Sequence, residues 1–314
     1  MTTAFIFPGQ GSQAPGMGKT LADTYALARE VFEEVNDALG YNLTAVMWGE
    51  DAEKLNLTEN TQPALMAVSV AVSRVLEKEG GFSLSDKGVY VAGHSLGEYS
   101  ALTAVSALEL KDTSTLLKLR GQAMQRAVPV GQGAMAAILG LNFDDVKAIV
   151  KDISTEKEVV QAANDNADGQ VVISGHKAAV EKACAAASEK GAKRAVMLPV
   201  SAPFHCTLMA PAAKEMNDAL SQTIIRPPSL PCIANVTAKA EDDPNVIRQL
   251  LVDQITGRVR WRESVGFMGD NGVTRAIELG SGKVLSGLVR RINKDIECLN
   301  AETPEDIERL LENL

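Results

Sequence analysis

The chain is poor in the residues that build metal centres and covalent cross-links. Its 314 residues include only three histidines and four cysteines. The cysteines are scattered, with no Cys-x-x-Cys pair and no neighbouring histidine pair at a metal-binding spacing: Cys184, Cys206, Cys232 and Cys298. This pattern argues against a zinc-binding module and against a disulfide framework, and it favours free thiols in a reducing compartment.

Long apolar runs and an excess of basic residues are also missing. No stretch approaches the length of a membrane span, and no basic segment precedes the first apolar strand, so we expect neither a transmembrane helix nor a signal peptide. The formal net charge of -9 argues against general nucleic-acid binding. We therefore expect a cytoplasmic enzyme with no membrane or nucleic-acid partner, built as one large domain or as one domain with an insertion.

The most informative stretch is residues 89–99, an apolar run followed by Gly-x-Ser-x-Gly and then by helix-forming residues. A serine between a strand and a helix must turn within a few residues, and Gly93 and Gly97 leave room for that turn. The turn would expose the hydroxyl of Ser95 and leave the amide of Leu96 at a helix N-terminus. Gly-x-Ser-x-Gly also occurs in ordinary glycine-rich turns, but the flanking strand and helix favour a nucleophile elbow.

A second glycine-rich loop, residues 8–13, follows the apolar strand at residues 4–7. It is either a simple turn or a place where the backbone approaches a substrate closely. In the second case a backbone amide such as that of Gln10 would supply another oxyanion donor, because an elbow provides only one.

Arg120 breaks the pattern of its predicted helix, which Asp112 can cap and which runs to about Ala127. The residues three and four positions away are all apolar: Leu116, Leu117, Ala123 and Met124. Two structural interpretations remain open, a buried ion pair and an aliphatic stem that reaches water. The functional interpretation is bidentate capture of a substrate carboxylate, which suits the planar guanidinium.

A serine nucleophile needs a base, and the candidates are His94, His176 and His205. His94 adjoins the serine and should leave the turn in another direction, while His176 lies in a different structural unit. His205, in the loop of residues 201–205, is the best candidate, although a purely structural loop histidine remains possible. Cys206 is an unfavoured alternative nucleophile because adjacent side chains point apart.

From Gly133 onward, the predicted helices and strands become shorter. Alternating short segments follow in the order βαββαβ: strand 134–139, helix 143–150, strands 159–163 and 170–174, helix 177–190 and strand 194–200. That order is typical of a ferredoxin-like unit. We therefore predict an α/β protein with a large subdomain, residues 1–130 and 199–314, and a small inserted subdomain, residues 131–198.

Several other elements can be predicted in the large subdomain. Thr61-Gln62-Pro63 should open a long helix that runs to Gly80-Gly81, with proline at the first helical position, and residues 232–236 and 275–279 should be strands. The sequence Gly280-Ser281-Gly282-Lys283 is not a phosphate-binding loop, because Ile277 stands where such a loop needs glycine. We predict an ordinary strand-to-helix turn there.

Basic residues form three local clusters in this acidic chain. These clusters are either solvated faces or a docking site for an acidic partner: Lys190, Lys193 and Arg194; Arg258, Arg260 and Arg262; Arg290, Arg291 and Lys294.

Six short motifs, in this order, together resemble the malonyl-CoA:acyl carrier protein transacylases over essentially the whole chain. They are residues 8–13, 61–65 and 93–99, Arg120-Gly121, residues 133–135 and Phe204-His205. The resemblance implies an α/β-hydrolase-like core with a parallel sheet and an inserted ferredoxin-like subdomain. It also implies malonyl transfer from malonyl-CoA to the phosphopantetheine thiol of acyl carrier protein, without a metal or redox cofactor.

The resemblance assigns roles to individual residues. Ser95 would carry the malonyl group and His205 would be its base, with Gln10 and Leu96 as backbone oxyanion donors. Arg120 would hold the free malonyl carboxylate. The backbone carbonyl of Gln254 would orient the histidine, and Phe204 matches malonyl-selective rather than methylmalonyl-selective members of the family.

Two other functions use some of the same features. A serine esterase or thioesterase has the same elbow, but it normally adds an acidic third member, for which no clear candidate follows Ser95. A carrier-protein-binding scaffold with a vestigial site predicts loss of Ser95, Arg120 or His205, and all three are present.

Overall fold

A computed structural model describes residues 1–200 and 202–314. Ser201, the first residue of the predicted histidine loop, lies outside the described residues. The strands are β1 (Thr3–Phe7), β2 (Tyr90–Gly93), β3 (Gly133–Leu139), β4 (Val160–Ala167), β5 (Gln170–His176), β6 (Arg194–Met197), β7 (Cys232–Ile233), β8 (Ala240–Glu241), β9 (Arg275–Leu279) and β10 (Glu297–Ala301).

Helices connect and cover these strands. They are α1 (Lys19–Thr24), α2 (Ala26–Leu39), α3 (Leu43–Trp48), α4 (Ala52–Asn56), α5 (Thr58–Gly80), α6 (Leu84–Lys87), α7 (Leu96–Ala104), α8 (Leu110–Ala127), α9 (Phe143–Ile153), α10 (Lys177–Glu189), α11 (Ala210–Gln222), α12 (Pro244–Thr256), α13 (Trp261–Asp270), α14 (Val284–Ile292) and α15 (Pro304–Leu311). A short 3₁₀ turn, Thr207–Met209, precedes α11. None of the described helices combines the length and apolarity needed to cross a bilayer.

The larger sheet has the order β10-β9-β1-β2-β7-β8. The pairs from β10 to β7 are parallel, and only the edge strand β8 is antiparallel. Its centre, β1, is buried along its whole length. Side chains alternate between the faces: Phe5 and Phe7 join the core with α2, α5, α7 and α8, whereas Ala4 and Ile6 join the core with α13 and α14. The predicted parallel α/β core is therefore present, with helices on both faces.

The smaller sheet has the order β4-β5-β3-β6, with every neighbouring pair antiparallel. Helices α9 and α10 cover one face and complete a separate apolar core. This is the ferredoxin-like arrangement expected from the βαββαβ pattern. Its elements run from Gly133 to Met197, inside the predicted segment 131–198; the exact subdomain boundaries stay a prediction.

The end of β4 joins the two subdomains through the backbone. Asp165 N donates to Val259 O, and Val259 N donates to Ala163 O, both at 2.9 Å. The buried Asp165 carboxylate also accepts from Arg262, with Nη2 at 2.8 Å. Main-chain bonds of this kind fix the relative position of the two sheets beside the cleft between them.

Several boundaries differ from the sequence predictions; β4, for example, ends at Ala167 rather than at residue 163. Helix α5 begins at Thr58, so Pro63 lies inside the helix rather than at its start, because the preceding segment is also helical. Asp112 lies within the first turn of α8 rather than at its cap. Strand β6 ends at Met197 instead of residue 200. The strand predicted at 232–236 ends at Ile233, because Asn235 N donates to the buried carboxylate of Glu98 instead of to a neighbouring strand.

Candidate active site

The turn between β2 and α7 has the geometry of a nucleophile elbow. Ser95 has φ 56° and ψ −110°, a conformation that non-glycine residues rarely adopt. A Cβ on Gly93 would lie 1.9 Å from the backbone of Gly97, and one on Gly97 would lie 2.3 Å from Phe7 O. Both glycines are therefore required by close backbone contacts, as the sequence predicts.

Asn235, which follows β7, holds this strained turn from the side. Its Oδ1 accepts from Ser95 N at 2.7 Å, and its Nδ2 donates to Gly93 O at 2.7 Å. Asn235 is itself 1% exposed, and its backbone N donates to Glu98 Oε2 at 2.9 Å. Asn235 was not among the predicted site residues; an asparagine within the predicted strand 232–236 was the signal for it.

The structure brings Ser95 and His205 together across 110 positions of sequence. Ser95 Oγ lies 2.8 Å from His205 Nε2, and His205 Nδ1 lies 2.9 Å from Gln254 O. A carbonyl oxygen only accepts, so Nδ1 carries the proton, and Nε2 of the neutral ring accepts from the serine hydroxyl. His205 also has a positive φ of 58°. The serine, the base and the predicted orienting carbonyl thus form one continuous chain of hydrogen bonds.

The burial of His205 keeps its imidazole neutral. Burial, together with the nearby charge of Arg120, lowers the pKa of His205 to about 3. The ring is therefore unprotonated at neutral pH and available to accept a proton.

The alternative nucleophile and bases are used elsewhere. His94 Nε2 lies 2.8 Å from Asn166 Oδ1, and its ring packs near Trp261. His176 Nδ1 accepts from Val159 N at 2.9 Å within the small subdomain. Cys206 is buried, which raises the pKa of its thiol.

Arg120 is buried beside the serine, 1% exposed. Its Nη1 donates to Gln62 Oε1 at 2.7 Å, and its Nη2 donates to Gln254 Oε1 at 2.8 Å and to Ser95 Oγ at 3.0 Å. Across residues 1–200 and 202–314, no carboxylate lies within ion-pair distance of this guanidinium, and Nε has no hydrogen-bond partner. Neither structural interpretation, a buried ion pair or a stem that reaches water, describes this arginine.

Glu98 is the acid that lies near Arg120 without touching it. It is 2% exposed, and burial raises its pKa to about 7. The carboxamide of Gln254 stands between the two groups, since Gln254 Nε2 donates to Glu98 Oε2 at 2.9 Å while its Oε1 accepts from Arg120. Gln254 Nε2 also donates to Ser95 O at 3.0 Å. One glutamine therefore contacts the base, the arginine and the backbone of the nucleophile.

Gln10 and Leu96 both line the cavity that contains Ser95. Among the described residues, neither of their backbone N–H groups donates a hydrogen bond to another residue. The side chain of Gln10 is fixed instead, because its Oε1 accepts from Thr58 Oγ1 at 2.9 Å. Two free amides at the serine are what a developing oxyanion requires.

The cavity lies between the subdomains and has a volume of about 240 Å³. The large subdomain contributes the serine, the histidine and Phe204, and the small subdomain contributes Met135, Asn166 and Val172 from its open face. The walls are largely apolar, so charges inside the cavity are weakly screened.

The basic clusters differ in their partners. Arg258 and Arg260 pair with Glu263, and Arg262 pairs with Asp165, so the middle cluster is largely neutralised within the protein. Arg290 Nη2 donates to Cys298 O, and Arg291 Nε donates to Gly287 O. Whether any of the three clusters docks an acidic partner stays a prediction.

A strained elbow serine, a neutral histidine on its hydroxyl and two free amides, set on a parallel α/β sheet, define the class of serine-dependent acyl-transfer enzymes. A family model described as "Acyl transferase domain" matches residues 4–296. The chain belongs to this acyl transferase family.

Relatives of the chain match it over nearly its whole length. It is 43% identical over 311 residues to the malonyl CoA-acyl carrier protein transacylase of Bacillus subtilis, covering 99% of this chain and 96% of the relative. The crystal structure of acyl-carrier-protein-S-malonyltransferase from Bartonella henselae superposes with a TM-score of 0.97 at 54% identity, covering 100% and 99% of the two chains. A malonyl-transacylase solved in complex with a type II PKS acyl-carrier protein superposes with a TM-score of 0.96 at 41% identity, covering 100% of both chains.

Proposed function

We propose that this chain transfers the malonyl group from malonyl-CoA to the phosphopantetheine thiol of acyl carrier protein and so supplies fatty-acid chain elongation. The observation that carries this proposal is the buried guanidinium of Arg120, which has no carboxylate partner among the described residues and lies beside the hydroxyl of Ser95. An acyl group that ends in a carboxylate satisfies that cation. The full-length relatives whose names include malonyl transfer support the same substrate.

The proposed first half-reaction acylates the serine. His205 Nε2 takes the hydroxyl proton as Ser95 Oγ attacks the thioester carbonyl of malonyl-CoA. The amides of Gln10 and Leu96 donate to the resulting oxyanion, and the loss of one such donor typically costs a factor of about 100 to 1000 in rate. The protonated histidine then gives its proton to the departing CoA sulfur, which leaves malonyl-Ser95.

The second half-reaction repeats these steps with a different thiol. His205 takes the proton of the phosphopantetheine thiol, whose sulfur attacks the malonyl ester. The tetrahedral intermediate collapses, and the proton returns to Ser95 Oγ. This sequence is ping-pong acyl transfer, and it needs no metal or redox cofactor, because the histidine moves the proton and the amides stabilise the charge.

Arg120 would hold the malonyl carboxylate throughout both half-reactions. Its Nε has no hydrogen-bond partner in residues 1–200 and 202–314, and its Nη2 is shared between Ser95 Oγ and Gln254 Oε1. These donors can turn to a carboxylate without leaving an acid of the protein unpaired. Phe204 lines the same cavity, and its bulk favours malonyl over the branched methylmalonyl group.

We also propose acyl carrier protein as the macromolecular partner and the cytoplasm as the place of action. The relative solved with an acyl-carrier protein matches this chain over its whole length, which supports the partner. All four cysteines carry free thiols, as is typical of proteins in a reducing compartment.

Intact-protein mass spectrometry tests the reaction. We expect a malonyl adduct after brief mixing with malonyl-CoA, located on Ser95, that persists in water and disappears when phosphopantetheinylated acyl carrier protein is added. An adduct that decays at the same rate without the carrier would identify a thioesterase or esterase instead. The absence of any adduct would contradict catalysis and favour a scaffold function.

A further inference from the structure

Apart from the Ser95 hydroxyl, the two described side chains that accept hydrogen bonds from the ends of the Arg120 guanidinium are neutral carboxamides. Gln62 Oε1 lies 2.7 Å from Nη1, and Gln254 Oε1 lies 2.8 Å from Nη2. A glutamate at either position would form a buried ion pair with Arg120. The protein therefore fixes the position of the cation without neutralising its charge.

Gln62 lines the cavity, and its described side-chain contacts are with Arg120 and Met124 rather than with Ser95, His205 or Glu98. It lies in α5, is 1% exposed, and its Nε2 has the weak acceptor Met124 Sδ at 3.9 Å. Gln254, by contrast, also contacts Ser95 O and Glu98 and places its carbonyl on His205. Position 62 is thus the place where the partner of Arg120 can be changed without touching the base or the elbow.

We infer that Gln62 determines acyl-group specificity, because its neutral oxygen orients Arg120 and leaves the positive charge for the carboxylate at the end of the acyl chain. This inference rests on the proposed malonyl transfer. It adds a residue whose charge, rather than its size, sets the preference for an acidic acyl group.

The electrostatic reason follows from the burial of the pair. Glu98 is separated from Arg120 by the Gln254 carboxamide, so the guanidinium has no direct counter-ion among the described residues. A carboxylate at position 62 would occupy Nη1 and repel a second carboxylate at the same cation. An acetyl group carries no charge and would not feel this repulsion.

The test compares malonyl-CoA with acetyl-CoA as donors for Ser95 acylation, measured by intact mass. A like charge placed beside the charge of a ligand strongly disfavours its binding, so we expect Gln62→Glu to lower the malonyl-to-acetyl ratio of acylation rates by about 100-fold. Gln62→Met removes the acceptor without adding charge. We expect it to lower the same ratio by about tenfold, because Arg120 is then less well oriented.

Gln222→Glu is the matched control, because it makes the same charge change at an exposed position on α11. We expect the acyl-group ratio of this variant to equal that of the parent. Thermal unfolding of each variant reports whether the fold is retained. If Gln62→Glu does not fold, the tenfold change expected for Gln62→Met decides the question.

The outcomes separate this inference from the proposed function. A parent enzyme that forms no malonyl adduct would contradict malonyl transfer itself. A parent that forms the adduct, with folded Gln62→Glu and Gln62→Met variants that keep the parental ratio, would overturn the role of Gln62 alone.

Discussion

Two strand-to-helix turns at the carboxyl edge of the large sheet place a serine next to glycines, yet they use the serine differently. At the elbow between β2 and α7, Ser95 itself has the positive φ of 56° and its hydroxyl faces the cavity. In the turn between β9 and α14, Gly280 and Gly282 take the positive φ values, 132° and 80°. Ser281 is 1% exposed there, and its hydroxyl is held between two acceptors, with Oγ 2.9 Å from both Ser12 O and Glu302 Oε1.

The helices that follow these turns differ at their N-termini as well. The buried carboxylate of Glu278 accepts from Leu285 N and Ser286 N, so the first turn of α14 is capped. The N–H of Leu96 at the start of α7 has no such partner among the described residues. In the turn between β9 and α14, the backbone donors are satisfied by the protein itself. At the elbow, the backbone is strained and the amide of Leu96 is left to donate to a substrate.

Exchange of each serine for alanine should give the largest contrast between the turns. We expect Ser95→Ala to lower malonyl transfer by at least about 10⁴-fold, because the nucleophile is lost. We expect Ser281→Ala to keep transfer within about twofold and to lower the free energy of unfolding by about 1–2 kcal/mol. Radiolabelled malonyl transfer and thermal unfolding measure the two effects; equal losses of activity would contradict the distinction.

Removal of the Asn235 side chain should affect the elbow and the neighbouring Gln254 carboxamide, whose Nε2 donates to Asn235 Oδ1 at 3.5 Å. Asn235→Ala removes both hydrogen bonds that hold Ser95 N and Gly93 O. A displacement of the nucleophile of about 1 Å can cost 100-fold, so we expect the acylation rate to fall by about that factor. Asn271→Ala is the control, since it removes one side-chain bond to Phe267 O at the exposed end of α13. Stopped-flow measurement of CoA release reports the acylation rate. Equal rates for the Asn235→Ala and Asn271→Ala variants would contradict the role of Asn235.

Neutralisation of Glu278 should affect only the turn between β9 and α14. Glu278→Gln keeps one acceptor oxygen but points an amide at the donors of α14, so we expect a loss of about 1–3 kcal/mol in the free energy of unfolding. Transfer activity should stay within about twofold, because Glu278 does not line the cavity. Urea denaturation checks this result. A large loss of activity in a folded variant would show that the two turns are coupled.

The smallest expected effect is the response of acylation to acid. Because burial lowers the pKa of His205 to about 3, its Nε2 remains unprotonated at pH 5. We expect the acylation rate of the Glu98→Gln variant to change less than about twofold from pH 8 to pH 5, whereas a base with an ordinary pKa would lose about 30-fold. Glu98→Gln is used because Glu98 itself titrates near pH 7.

The same pKa shift predicts the sign of the stability change. The unfolded chain binds a proton at His205 first as the pH falls, so the free energy of unfolding decreases below about pH 6.5. Circular dichroism at each pH separates unfolding from a change in chemistry. A rate that falls in a folded protein near pH 6.5 would contradict the lowered pKa.

Local sequence patterns were sufficient for the elements and for the residues that stand next to a turn. The alternation from residue 133 onward predicted the small sheet, and the glycines around Ser95 predicted the elbow, because both depend on neighbouring residues. Thr303 before Pro304 is a signal of the same local kind, and Thr303 forms a capping box at the start of α15.

Contacts between residues that lie far apart in the sequence could not be predicted from local patterns. His205 was chosen among three histidines, but its 2.8 Å contact with Ser95 depends on the packing of whole subdomains. The hydrogen bond from Ser95 N to Asn235 joins residues 140 positions apart. The hydrogen bond from Arg120 to the neutral side chain of Gln62 joins residues 58 positions apart. The carbonyl of Gln254 came from the family resemblance, since a backbone group leaves no trace in the residue type.

The bond between His205 Nδ1 and the peptide oxygen of Gln254 has a genetic consequence. A missense mutation at codon 254 changes the neighbour of Arg120 and Glu98 but leaves the acceptor of the histidine in place. Unlike the aspartate of a protease triad, the peptide carbonyl of Gln254 is not protonated as the pH falls. Only a change that moves the end of α12 can take it away, so its loss requires a rearranged backbone rather than a single altered side chain.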